Sequence, residues 1–474
     1  MVCLFGWVAF FVCGQTKAAG EAAPASLAAE TQARLDWNLK TTVGAYQKSS
    51  FKGAAWDDYA VKALTEFARI RSKAETDTET GNLVISSNTA AAVRAGCKDP
   101  MVNNLFIRFA MTQTLLTQTN RKMAYADAFC KNAAAMENSA YPDIRKFYAD
   151  FHAVHQYAWA NNYPTNTPPE VDAVRHHMFG HLESLMKDKT IPPEEIYDAC
   201  SEFLNLFRSS KESFPACWKC LEPLLVNNWS NEPTAYLLKG EAYIDLAWLA
   251  RGGEYADKVN EEGWKLFKEN LELAEQALNR AWELNKNDAR VAVKMMTVEL
   301  GQGIGRDRME LWFSRAMRID PNNYEACNSK VLYLEPKWYG SIEKMLSFGR
   351  ECVANKQWGG RTPLVLVNAH SDIPIYYLKD SEKANYWTRP GVWPDIKAAY
   401  NRLFELNPNS AAWRRDYARY ARYAFLCGHW DEFLSQAAVF RGGTDFSYFG
   451  GKEKFDKLVA NARRPIVETK APSE

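Results

Sequence analysis

A chain of 474 residues with 47% hydrophobic and 24% charged residues has the composition of a folded protein and not of a disordered one. Its formal net charge of +1 gives no whole-molecule field, which excludes the strongly basic surfaces that draw proteins to nucleic acid or anionic membranes. The length exceeds what one ordinary core holds, a limit that stacked units escape because each packs only on its neighbours.

Met1 to Cys13 carry no charged side chain and form an apolar run the length of a signal-peptide core, too short to cross a bilayer. Small residues follow at Ala18, Ala19, Gly20, Ala22 and Ala23. Residues 1–22 are therefore read as a signal peptide or N-terminal anchor, and the remainder as exported to a periplasmic or extracellular space with no membrane-spanning domain beyond that anchor. Cys13 follows the run as a lipoprotein cysteine would, but Val12 stands where that signal wants a small residue. Eight cysteines lie beyond it: Cys97, Cys130, Cys200, Cys217, Cys220, Cys327, Cys352 and Cys427. An oxidising compartment permits disulfides among them, and their wide spacing does not demand any.

Beyond the leader, apolar residues recur with a period near 3.6 and no stretch alternates as a strand does, which predicts an all-α chain. Helices are expected over 54–73, where Trp56, Tyr59, Val61, Leu64, Phe67 and Ile70 form one stripe, and over 86–95, 100–116, 122–137 and 142–159. Gly96 suits a helix stop and Pro100 a helix start. These are the N-terminal hairpins, residues 27–160. Pro164, Pro168 and Pro169 with Asn161, Asn162 and Asn166 then break the chain, and central helices over 171–187, 193–207 and 214–226 complete a region 161–230.

Three phrases of one design punctuate the second half: Glu283 to Asp288, Arg318 to Asn323 and Glu405 to Ser410. Each closes one amphipathic helix and opens another, and Lys286 and Pro321 lie 35 residues apart, the length of one helix-turn-helix unit. Ala274, Leu278, Ala281 and Lys286 occupy the same relative places as Met309, Phe313, Ala316 and Pro321. With Tyr236, Gly240 and Tyr243 in the preceding helix, this pattern resembles the tetratricopeptide repeat (TPR) over 233–335 and again over 396–440. Lys286 replaces the usual proline, Met309 replaces a small residue, and Arg251 to Asn260 is an insertion, so the repeats are degenerate. The resemblance implies an α-solenoid of antiparallel helical hairpins, with TPR-like repeats over 231–356, an aromatic-rich irregular insertion over 357–395 on a binding face or in a superhelical kink, C-terminal TPR-like helices over 396–463 and a tail over 464–474. Ala95 to Pro100, Tyr141-Pro142, Pro336 to Ser341 and Gln357 to Gly360 together resemble a family of exported bacterial proteins with TPR-like helices, a family that implies no known reaction.

Candidate chemistry is sparse. Cys217 and Cys220 follow Pro215 at an expected helix start, where free amides would lower a thiol's pKa, and have the spacing of disulfide oxidoreductases; no strand precedes them, and ordinary buried or disulfide-bonded cysteines are the alternatives. His177 and His181 share a helix face as a metal pair would, but no third ligand is identifiable, and His155 shares a packing stripe with Tyr148 and Phe151. Gly301 to Gly305 has a phosphate loop's composition without its Lys-Ser/Thr end. In the segment 413–423, Arg415, Arg419 and Arg422 form one stripe and Trp413, Tyr417 and Tyr420 another, able to hold an acidic peptide or a glycan, or else a packed aromatic face beside solvated arginines. No catalytic motif and no cofactor site stands out. The expected function is a noncatalytic scaffold for a protein or peptide partner, not nucleic acid; the alternatives are a thiol-redox enzyme using Cys217 and Cys220 and a structural component of a cell-surface assembly.

Overall fold

The computed structural model describes residues 25–75, 78–111, 121–161, 168–408, 413–439 and 446–463. The leader expected over 1–22, the middle of the Pro/Asn-rich linker and the tail over 464–474 lie outside the described residues. Among those described every regular element is helical, with no strand. None of these helices is long and apolar enough to cross a membrane. The chain divides into two compact units whose described parts are residues 25–304 and 305–463. The division falls inside the stretch 231–356 that periodicity joins into one run.

Unit 1 comprises α1 (Ala25–Thr41), α2 (Val43–Lys48), α3 (Asp57–Arg71), α4 (Thr78–Arg94), α5 (Pro100–Phe106) continuing into a π-helical turn (Ile107–Met111), α6 (Arg121–Glu137), α7 (Asp143–Ala160), α8 (Pro169–Lys187), α9 (Pro193–Asn205), α10 (Ser213–Trp229), α11 (Pro233–Arg251), α12 (Glu261–Leu284) and α13 (Ala289–Gln302). Sequence neighbours pack on one another: α3 on α4, α6 on α7, α7 on α8 and α11 on α12. One core gathers Leu64, Ile85, Leu105 and Phe129; a second gathers Phe147, Met178, Leu182, Phe214 and Trp218.

Local chemistry sets the helix ends. At the end of α4 the amides of Gly96 and Cys97 donate to the carbonyls of Val93 and Ala92, a Schellman stop that needs φ > 0 at Gly96 (+104°). The end of α3 repeats this with Lys73 and Ala74 donating to Ile70 and Arg69, and here a lysine takes the left-handed position at φ +61°. That strain costs roughly 1–3 kcal/mol. Asp99 caps α5 by accepting from the amides of Met101 and Val102, both at 2.9 Å, and Pro100 takes the first helical position. Tyr141 donates its hydroxyl to the same carboxylate at 3.1 Å, so two of the sequence phrases meet. Burial pushes Asp99 up to about 6 against these hydrogen bonds.

The α11/α12 hairpin packs closely. Ala274, Leu278 and Ala281 are buried, and a Cβ on Gly240 would come within 2.5 Å of Leu278 Cγ, so glycine lets the helices close. At the Lys286 turn Asn285 Oδ1 accepts from Asn287 N and Asp288 caps α13. The Pro321 turn uses the same device, with Asp320 accepting from Asn322 N and Asn323 capping the next helix through Ala326 N.

Unit 2 comprises α14 (Arg306–Ile319), α15 (Tyr324–Tyr333), α16 (Ile342–Ala354), α17 (Leu364–Tyr376), the single turn α18 (Asp380–Lys383), α19 (Val392–Leu406), α20 (Trp413–Leu426), α21 (Trp430–Val439) and α22 (Lys452–Ala462). The expected irregular insertion over 357–395 contains α17, whose Leu364, Leu366, Val367 and Ile373 are buried against α16 and α19. Its opening run, Leu364 to Val367, is apolar and buried at every position, which leaves no period to read there. Trp358 packs edge-on to Phe313 and Phe348, with ring centroids 5.6 and 6.2 Å apart. Ser341 caps α16 through Lys344 N, and Tyr339 lies 4.6 Å from the Tyr333 ring, so the Pro336 to Ser341 phrase shapes a turn.

A buried arginine and carboxylate cavity as candidate functional site

Unit 1 holds a partly open cavity of about 310 Å³ bordered by α3, α4, the π-helical turn, α7 and α9. Arg71 ends α3 and the strained Lys73 follows it; Arg108 sits on the π turn; Tyr148 and His152 lie one turn apart on α7, and Asp198 and Glu202 one turn apart on α9. Phe67, Ile70, Ile85 and Phe109 form the apolar walls. Single π turns and left-handed non-glycine residues both concentrate at functional sites, and here they border one space.

Glu195, fully buried one turn before Asp198, is the hub. It accepts from Arg34 Nε, from Asn38 Nδ2 at 2.8 Å and from Arg71 Nε at 3.2 Å. Burial alone would raise its pKa, yet Arg71, Arg34 and Arg145 outweigh that and hold it down to about 2. Arg34 also pairs with Asp198, and Arg71 donates to the Tyr148 hydroxyl while its guanidinium lies 4.4 Å from that ring. Arg145 donates to Asn38 Oδ1 and Thr41 Oγ1 at 2.6 and 2.7 Å, but its Nε and Nη1 are buried without a hydrogen-bond partner, facing Trp37 and Phe67 instead. Such orphaned donors are rare in folded proteins.

Burial shapes the charge on the lining. It lowers Arg108 to about 10, with Arg71 adding to the effect, which leaves Arg108 charged at neutral pH. It raises Glu202, against Arg71 and Arg108. It takes His152 well below its ordinary value, Arg108 contributing, so the imidazole is neutral and its buried Nδ1 has no partner. The lining thus gathers three cations (Arg71, Lys73 and Arg108) and three carboxyl groups (Glu75, Asp198 and Glu202) beside aromatic walls, with Arg71 and Asp198 3.4 Å apart. Charges of both signs beside apolar walls suit a ligand that carries both.

Periodicity marks Phe67, Ile70 and Tyr148 of this lining as packing positions, and none of its charged residues was singled out by the sequence. The usable signal was the acidic series Glu195, Asp198 and Glu202 on one face of α9, beside arginines at the ends of apolar stripes. Of the residues that were singled out, His181 lies on the far side of α7 from this cavity, 2.8 Å from Glu137, while His176 and His177 are exposed. His155 stacks on Phe151 at 5.8 Å, as its stripe implied. Cys217 and Cys220 are free thiols in α10, half-buried and exposed. The helix starts at Ser213, so Cys217 lies beyond the first turn and its free amides, and burial pushes the thiol up to about 11, opposite to the expected activation.

In α20 Tyr420 is buried between Tyr400 and Trp393, Tyr417 stacks 4.3 Å from Phe404 and Arg419 is half-buried, which leaves Arg415 and Arg422 exposed. Arg422 donates to the Tyr448 carbonyl. The side chain of Trp413 lies outside the described residues. No known protein family matches this chain, and no curated protein matches it.

Proposed function

We propose that this protein is a noncatalytic, TPR-like α-solenoid of antiparallel hairpins that binds a short peptide or a peptide end in the cavity of unit 1. The observation that carries the reading is the gathering of Arg71, Lys73 and Arg108 with Asp198 and Glu202 beside aromatic walls in one cavity. A cavity of about 310 Å³ sits at the lower end of the roughly 300–1,000 Å³ range of small-ligand sites. In the bound state the cations hold the ligand's carboxylate, Asp198 and Glu202 hold its ammonium group, and Phe67 and Phe109 pack on its side chain. The paired helices, the shared turn chemistry at Asn285 and Asp320 and the close Gly240 to Leu278 approach support the repeat architecture. Export, resting on the uncharged apolar run, belongs to the same proposal and would bring the site to extracytoplasmic peptides.

The test is calorimetry of the full chain with di- to tetrapeptides, free and end-blocked. Free peptides are expected to bind saturably and end-blocked ones not. Glu202→Gln, which removes one charge-assisted contact worth about 1.5–3 kcal/mol, is expected to weaken binding roughly 10- to 100-fold. Equal binding of free and blocked peptides, or none by either, sinks the reading.

A further inference from the structure

We propose that Glu137, Asp150 and His181 form a binding site for a divalent first-row transition ion of the zinc class, clasping α6, α7 and α8 together. This site is separate from the peptide cavity and its reading does not depend on that one. Glu137 ends α6, Asp150 lies in the middle of α7 and His181 on α8, and one donor atom from each comes within 4.8 Å of the other two. His181 Nε2 stands 2.8 Å from Glu137 Oε2 and 3.9 Å from Asp150 Oδ2. Donors on a tetrahedral ion with bonds of about 2.0–2.2 Å are roughly 3.3–3.6 Å apart, and the two distances straddle that value.

Asp150 supplies the independent sign. It is 2% exposed, and its Oδ2, aimed at His181, has no hydrogen-bond partner. A buried carboxylate oxygen without a donor is costly and is relieved by a proton or a cation. The surroundings of His181 complete the pattern. Its other nitrogen, Nδ1, faces Asp143 Oδ1 at 3.5 Å, and Asp143 Oδ2 accepts from the Ser184 hydroxyl at 2.7 Å. A carboxylate behind a ligating imidazole fixes its tautomer and orientation, leaving Nε2 free for the metal. The half-exposed Glu137 gives the ion an entry path and room for a water as fourth ligand, and the imidazole selects against Ca²⁺ and Mg²⁺, which prefer all-oxygen shells. On binding, the imidazole keeps its proton on Nδ1 toward Asp143 and ligates through Nε2 in place of the Nε2 contact to Glu137, while the carboxyl groups bind as carboxylates and release to solvent any proton they hold.

The experiment uses the untagged full chain, stripped with a chelator and titrated with Zn²⁺ and Ca²⁺ by calorimetry, with Co²⁺ uptake read from its visible absorption. One tightly bound Zn²⁺, a Co²⁺ spectrum of low coordination number and no competing Ca²⁺ binding are expected. Asp150→Asn and His181→Gln should each abolish that binding while circular dichroism stays native, Asp143→Asn should weaken it about 10- to 100-fold, and His177→Gln should leave it unchanged. The parent chain also tests the idea without variants: free Zn²⁺ at about 100 times its Kd should raise the folded-to-unfolded ratio about 100-fold. Absence of saturable Zn²⁺ binding by the parent, or affinity that survives both Asp150→Asn and His181→Gln, overturns the proposal.

Discussion

The two units fill their interiors with opposite chemistry. In unit 1, Arg34, Arg71 and Arg145 converge on one buried carboxylate, Glu195, and the network leaves Nε and Nη1 of Arg145 and Nδ1 of His152 without partners. In unit 2 the space beside α19 and α20 holds stacked rings: Phe404 on Tyr417, Tyr400 on Tyr420 and Trp393 on His429, at 4.3, 4.7 and 4.4 Å. Where unit 2 buries an ion pair it closes it, as in the two-pronged bond of Arg361 to Asp416 at 2.7 and 2.8 Å. Rings fill volume without demanding one partner geometry, whereas a buried charge is tolerable only when its bonds are made. Unit 2 leaves polar atoms open too, among them the Tyr400 hydroxyl and Gln436 Oε1, but His152 Nδ1 borders the unit 1 cavity, and an open polar atom at a cavity is the stronger pointer to ligand chemistry.

Breaking the hub should show the contrast at its largest. Glu195→Gln leaves Arg34 and Arg71 facing an uncharged amide and is expected to destabilise the protein by about 3–5 kcal/mol in urea unfolding. The same group sets an acid limit. Its folded pKa of about 2 lies below the ordinary 4.5, so its contribution is complete above pH 4.5 and is lost as the pH falls toward 2. The parent's stability should fall across that window, and the fall should shrink in Glu195→Gln.

Overpacking should matter less than loss of charge. Gly240→Ala drives a methyl into Leu278 and is expected to cost about 1–3 kcal/mol, visible as a lower Tm; an unchanged Tm would mean that α11 and α12 can separate freely. In unit 2, Tyr400→Phe removes a buried hydroxyl that has no partner, so the change should be neutral or stabilising by up to about 1 kcal/mol. A loss above that would show that the ring stack depends on polar contacts after all. The smallest effect is expected at exposed Arg415, where Arg415→Ala should stay within about 0.5 kcal/mol. An acidic peptide whose affinity falls in that variant would return α20 to consideration as a partner face.

Many helices and helix ends were legible in the chain because they are set by neighbours in sequence, although α1, α2 and the first turns of α4 were not read and α5 gives way to a π turn at Ile107. Gly96 and Pro100 mark a stop and a start by φ and by a missing amide, Asn285 and Asp320 form the same local turn, and Ala274, Leu278 and Ala281 fall on one face by the period of the helix. Helix α17 escaped because its first turn, Leu364 to Val367, is apolar and buried at every position and shows no such period. What only the tertiary structure decided is which faces meet. Arg34 reaches Glu195 across 161 residues and His181 reaches Glu137 across 44, distances over which no spacing rule operates. The activation expected for Cys217 depended on a helix start and on exposure, both properties of the packed chain, and packing moved the thiol the other way. Local covalent geometry wrote the helices; the cavity and the His181 cluster exist because long-range burial brought charges together and withheld water from them.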